Sequence, residues 1–122
     1  MLWKILAGLA AVGMLLGGIN TIFIGGDAWA MFAVDPMGAE GASTIRGDIG
    51  GMFLTSGIIT ALGLYKKRPD FLLVIGVMML VIAGGRAVGL VLDGYAQQPL
   101  TFLIVEVVLF AILFMASRTV KA

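Results

Sequence analysis

The sequence predicts an all-α fold: an antiparallel bundle of four transmembrane helices with a short interfacial segment in the first outer loop. Three observations carry this. Hydrophobic residues fill 61% of the 122 positions and charged residues only 12%, about half the charge of a soluble domain. Mean hydropathy is +1.11. The apolar residues fall into four runs, about 2–26, 43–65, 71–93 and 99–116, each of a length that spans a ~30 Å hydrocarbon core. The length suits a single integral membrane domain, residues 1–122.

The first run, Leu2 to Gly26, starts with Trp3 and Lys4, residue types that anchor helices at an interface. A signal peptide competes, with Ala28-Trp29-Ala30 as its cleavage site. The run is longer than a usual signal core, so a retained helix is expected. Gly13, Gly17, Thr21 and Gly25 form a small-residue stripe, which permits close helix approach. Asn20 is the amide of this run, about 9 Å from its outer end.

The connection from Asp27 to Ala42 holds Trp29, Met31 and Phe32, too apolar for a free loop, so a short interfacial helix is expected there. Asp35-Pro36 reads as a helix start, with Asp as N-cap and Pro in the first position. The second helix, residues 43–65, can therefore begin as early as Pro36. It carries Arg46 and Asp48 near its start and stops at Lys66-Lys67-Arg68-Pro69. The third run is 71–93 and the fourth 99–116.

Basic residues orient the bundle. Lys4, Lys66, Lys67, Arg68, Arg118 and Lys121 fall at one end, and Asp27, Asp35, Glu40 and Asp93 at the other. The positive-inside rule makes both termini cytoplasmic and the first loop external. A faint internal repeat, Gly17-Gly18 and Gly84-Gly85 followed by a polar residue, would relate the two hairpins.

The third and fourth runs each hold a charge. A rise of about 1.5 Å per residue sets Arg86 roughly 10 Å below Asp93, and sets Glu106 at a similar depth below Pro99. An intramembrane Arg usually pairs or faces a cavity. Arg86 is therefore expected to pair with Glu106 or Asp93. With Asn20, Arg46 and Asp48 this places polar groups from all four helices at one level, in the outer half of the membrane. The inner half offers Thr55, Ser56 and Thr60, which can bond backbone in their own helix. Gly47-x-x-x-Gly51 and Gly85-x-x-x-Gly89 read as packing notches, and the eight Met as lipid-facing or core residues.

A closed network that fixes helix register is the simpler reading of these charges. The functional reading is an outward-facing pocket bounded by Asn20, Arg46, Asp48, Arg86, Asp93 and Glu106, with Trp29 and Phe32 as a lid. Two Arg would favour an anionic or carbonyl-bearing head, because guanidinium offers a fixed fork of donors. The chain has no Cys and no His, which removes thiol chemistry and most metal sites. No catalytic residue, metal or cofactor is expected, and no enzyme. A formal charge of +1 suggests no nucleic acid.

Two stretches, Arg46-Gly-Asp-Ile-Gly-Gly51 and Gly85-Arg86-Ala-Val-Gly89-Leu-Val-Leu-Asp93-Gly94, followed by Glu106, resemble a known family. It is a small bacterial four-helix integral membrane family of unknown function, marked by Arg-x-x-x-Gly-Gly and Gly-Arg-x-x-Gly-x-x-x-Asp-Gly and distantly similar to the DoxX-like proteins. Some of those are linked to quinone-dependent redox systems. The resemblance implies a bacterial inner (cytoplasmic) membrane location and supplies no activity.

The expected function is a non-enzymatic membrane protein that binds a small molecule, a lipid or a quinone-like head. One alternative is a structural or accessory subunit of a larger membrane complex, or a homo-oligomer, with its charges internal. Another is a small proton- or cation-coupled transporter. Against it, small multidrug transporters keep their essential Glu in helix one, where this chain has Asn20.

Overall fold

A computed structural model describes residues 1–120. Lys121, counted above with the basic end, lies outside the described residues, as does Ala122. Among the described residues the regular structure is helical, and four helices are long and apolar enough to cross a membrane.

Helix α1 (Leu2–Phe23) stops three residues short of the expected Gly26. Ile24 N–H closes the last turn on Asn20 O at 2.9 Å, and Gly25 then takes φ 75°. That left-handed conformation ends a helix, and Gly adopts it without strain. The interfacial segment is a single turn, α2 (Asp27–Ala30).

The second span starts with α3 (Gly38–Thr44), whose N-cap is Met37, with no side-chain cap. Asp35-Pro36 is thus not the helix start that its chemistry suggested. Pro36 instead packs on the first turn, its carbonyl carbon 3.3 Å from where a Cβ on Gly41 would stand. A π-helical stretch, Ile45–Gly50, joins α3 to α4 (Gly51–Tyr65), giving one continuous helix, Gly38–Tyr65.

Helix α5 (Pro69–Leu92) has Pro in its first turn, where no backbone donor is needed. Helix α6 (Gln97–Thr119) starts two residues before Pro99, again leaving Pro within the first turn.

The helices form a ring. Helix α1 packs on α4 and α6, and α5 packs on α4 and α6, so α1 faces α5 across the centre. Near the chain ends this centre is filled by Ala7, Met14, Leu72, Ile75, Met79, Leu113 and Ala116, all buried. The outer faces are apolar too: Leu9, Val12 and Leu16 of α1 and Val74, Val77 and Val81 of α5 are exposed. Helices apolar on both faces suit a lipid surround.

Close approach occurs at glycines other than those the motifs suggested. A Cβ on Gly18 would stand 2.6 Å from Leu54 N, and one on Gly57 2.8 Å from Leu15 N. Gly50 meets Ile22 in the same α1–α4 seam. Gly47, Gly51 and Gly85 face open space, so neither G-x-x-x-G pattern is a packing notch. In the inner half Ser56 Oγ donates to Met52 O at 2.6 Å as expected, whereas the buried Thr60 hydroxyl has no partner.

Candidate functional site

Toward the first-loop end the ring stays open, leaving a cavity of about 540 Å³. Each helix gives it one face. On α1 this is Ala10, Gly13, Met14 and Gly17, a run at i, i+3, i+4 and i+7. On α5 it is Met79, Ile82 and Arg86, and on α6 Phe102, Val105, Glu106 and Leu109. Ile49, Met52 and Phe53 come from the π stretch and the start of α4. Met31, Phe32 and Val34 of the first loop complete the wall.

Two of the small residues in the α1 stripe thus create space rather than contact. A Cβ on Gly13 or Gly17 would meet nothing within 4 Å. The stripe does not act as a unit: Thr21 Oγ1 donates to Gly17 O at 2.8 Å, and Gly25 packs on Trp29.

Arg86 and Glu106 are the charged residues of the wall. Arg86 Nε donates to Glu106 Oε1 at 2.8 Å, and the two side chains are 29% and 10% exposed. Sequence spacing brings them together: the α5–α6 turn sets both at one depth. The guanidinium carbon stands 5.0 Å from the centroid of the Phe102 ring, which supplies a cation–π contact on the same helix as Glu106. The terminal nitrogens Nη1 and Nη2 make no hydrogen bond to the described residues.

Phe32 lines the same cavity. Its ring stacks on Phe53 at 5.4 Å and tilts against Phe102 at 5.9 Å. The loop that carries it is tied to the start of α6 by Gln98 Nε2, which donates to Met31 O at 2.5 Å. Phe53 and Phe102 did not stand out in the sequence. Phe102 had a usable signal: it sits one turn before Glu106, on the same face.

Arg46 goes elsewhere. Its Nη1 donates to the carbonyl of Ile22, one of the last carbonyls of α1, and its guanidinium covers the Trp29 ring at 4.8 Å. Trp29 is buried and donates Nε1–H to Thr21 O at 2.9 Å. Trp29 is therefore a wedge between the end of α1 and the second span, outside the cavity lining. Of the lid pair, only Phe32 lines the cavity.

The remaining polar residues do not gather. Asn20, Asp48 and Asp93 are exposed and absent from the cavity wall. Asp93 curls back along its own helix, its Oδ2 3.7 Å from the site of a Cβ on Gly89. The single network expected at one level is thus split in two, a cavity pair on the α5–α6 side and an Arg46–Trp29 clamp at the end of α1. The helix ring explains the split, because Arg46 sits at the α1 seam while α5 lies across the centre. Among the described residues, no cluster of three or more acidic side chains offers a metal site.

One family model matches the chain, over residues 2–117, and describes a domain of unknown function (DUF4345). No curated protein and no solved structure matches.

Proposed function

Because the chain belongs to the DUF4345 family, which brings no activity with it, we propose that it is a non-enzymatic membrane protein that binds a membrane-soluble small molecule in its central cavity. A lipid or a quinone-like molecule fits this description. One observation carries the reading. An apolar cavity of about 540 Å³ has, among the described residues, a single charged feature in its wall, the Arg86–Glu106 pair at one depth. Small-molecule sites run to ~300–1,000 Å³ and combine apolar walls with a few placed polar groups. In a network serving register alone, every donor would be satisfied by protein. Here the Nη donors of Arg86 make no bond to the described residues.

The basic residues Lys4, Lys66, Lys67, Arg68 and Arg118 at one end support cytoplasmic termini, with the Phe32 loop outside. The cavity would then load from the outer leaflet or the outer surface.

Mass spectrometry of protein purified in mild detergent tests the reading, with Gly17→Leu as the comparison. Gly17 lines the cavity and a Cβ there meets nothing within 4 Å, so a larger side chain at this position narrows the cavity. A small molecule enriched over bulk lipid in the native protein and lost in Gly17→Leu is expected. The same complement of molecules in both proteins would refute a cavity ligand.

A further inference from the structure

We infer that the cavity selects an uncharged amphiphile, one whose head accepts hydrogen bonds, and rejects anionic and cationic heads alike. The inference rests on the binding reading above and specifies the ligand class of that same site. It departs from what the sequence alone suggests. Two Arg at one site would favour an anion, but Arg46 is committed to the Ile22 carbonyl and the Trp29 ring, outside the cavity wall.

The charge of the wall then sums to nothing. Arg86 contributes one positive charge and Glu106 one negative, 2.8 Å apart between Nε and Oε1. No other charged residue lines the cavity among the described residues. An anionic head seated at Arg86 would meet the Glu106 carboxylate beside it. A cationic head at Glu106 would meet the guanidinium. Either leaves one uncompensated charge in a medium that cannot solvate it. A neutral head accepting from Nη1 or Nη2 leaves the pair intact and gains a charge-assisted hydrogen bond.

The shape is set by the same residues. Phe102 lies 5.0 Å by ring centroid from the guanidinium carbon and Phe32 tilts against Phe102, so an aromatic surface borders the head at that level. From Arg86 down to Met79 the α5 face runs seven residues, about 10 Å, between apolar walls. That length takes the first part of an alkyl chain and ends on the packed Met79 and Met14.

The test uses the full chain in phosphatidylcholine nanodiscs and three photolabels. Each carries the same twelve-carbon chain with a mid-chain diazirine. The heads differ: a methylamide, a sulfonate and a trimethylammonium, none of which changes charge near neutral pH. Labelling of Met79 and Leu109 in the cavity is divided by labelling of the lipid-facing Val74 and Val81 on α5, which cancels differences in partitioning. The methylamide is expected to exceed both charged probes in this ratio by at least about tenfold.

Glu106→Gln removes the compensating charge and should bring the sulfonate up to or above the methylamide. Gly17→Leu, which leaves the pair untouched and narrows the cavity, should lower cavity labelling by all three and covers the case in which Glu106→Gln fails to fold. A sulfonate ratio equal to the methylamide ratio in the native protein overturns the neutral-head inference and leaves a cavity ligand standing. Cavity labelling by no probe, or labelling unchanged in Gly17→Leu, overturns the binding reading and this inference together.

Discussion

Arg86 on α5 gives its Nε–H to Glu106 on α6 at 2.8 Å, and twenty positions of sequence separate the two residues. The pair is a property of the α5–α6 hairpin. The turn fixes both depths, and the two helices share one wall of the ring.

Truncating one member should cost more than truncating both. A lone charge left in a buried site costs about 3 to 5 kcal/mol in soluble proteins, and a double replacement by neutral groups is often far milder. Arg86 keeps some open surface, so the lower end applies. Unfolding in mild detergent should rank Arg86→Met and Glu106→Gln below the double variant. A double-variant loss equal to the sum of the two single losses would mean the pair has no coupling.

Adjacent glycines on α1 should respond in opposite ways. A Cβ on Gly18 stands 2.6 Å from Leu54 N, which is backbone and cannot swing aside. Gly18→Ala should lose about 1 to 3 kcal/mol by overpacking. Gly17→Ala meets nothing within 4 Å and should gain up to ~1 kcal/mol of helix propensity. Midpoints of thermal unfolding compare the two directly. Parallel shifts of the same sign would place the seam elsewhere.

The end of α1 depends on Trp29. Its Nε1–H holds Thr21 O at 2.9 Å, and its ring carries the Arg46 guanidinium at 4.8 Å. Trp29→Phe keeps an aromatic face but removes the donor and part of the buried indole, which should cost at least about 1 kcal/mol. Arg46→Lys should be no milder than Trp29→Phe, because an ammonium lacks the planar fork that bonds a carbonyl while lying on a ring. Hydrogen exchange at Gly25 through Trp29 should speed up in both. Protection unchanged from the native protein would show that the clamp does not hold this corner.

Topology is open to labelling at two exposed positions, Ala39 near the first-loop end and Lys67 in the basic turn. An impermeant thiol reagent applied outside should modify Ala39→Cys in intact cells and Lys67→Cys only after permeabilisation. Modification of Lys67→Cys in intact cells would reverse the orientation that the basic residues support.

Some of the structure was legible in the residues. Each apolar run gave a helix, because a span of that length in lipid must satisfy its backbone internally. The ends were less legible. α1 stopped at a left-handed Gly25, and Asp35-Pro36 failed to cap because the chain used Met37 and Gly38 instead. Local chemistry offered several workable starts, and packing of Pro36 against Gly41 chose among them. The site was half legible. Arg86 and Glu106 could be paired by counting residues, but Phe53 carried no mark beyond being apolar in an apolar helix, and Phe102 only its place one turn before Glu106.

The sequence alone determined what each residue needed: apolar spans required lipid, and an Arg in such a span required a partner at its own depth. Depth follows from counting, because every residue adds the same rise. The tertiary structure decided direction. Which face of a helix meets the centre depends on how it is rotated against its neighbours, and hydrophobicity says little when lipid and core are equally apolar. The π stretch Ile45–Gly50 adds to this, since it changes the angle between successive side chains just where Arg46 stands. So Arg86 opens onto a cavity, while Arg46, of the same chemistry, closes the end of α1.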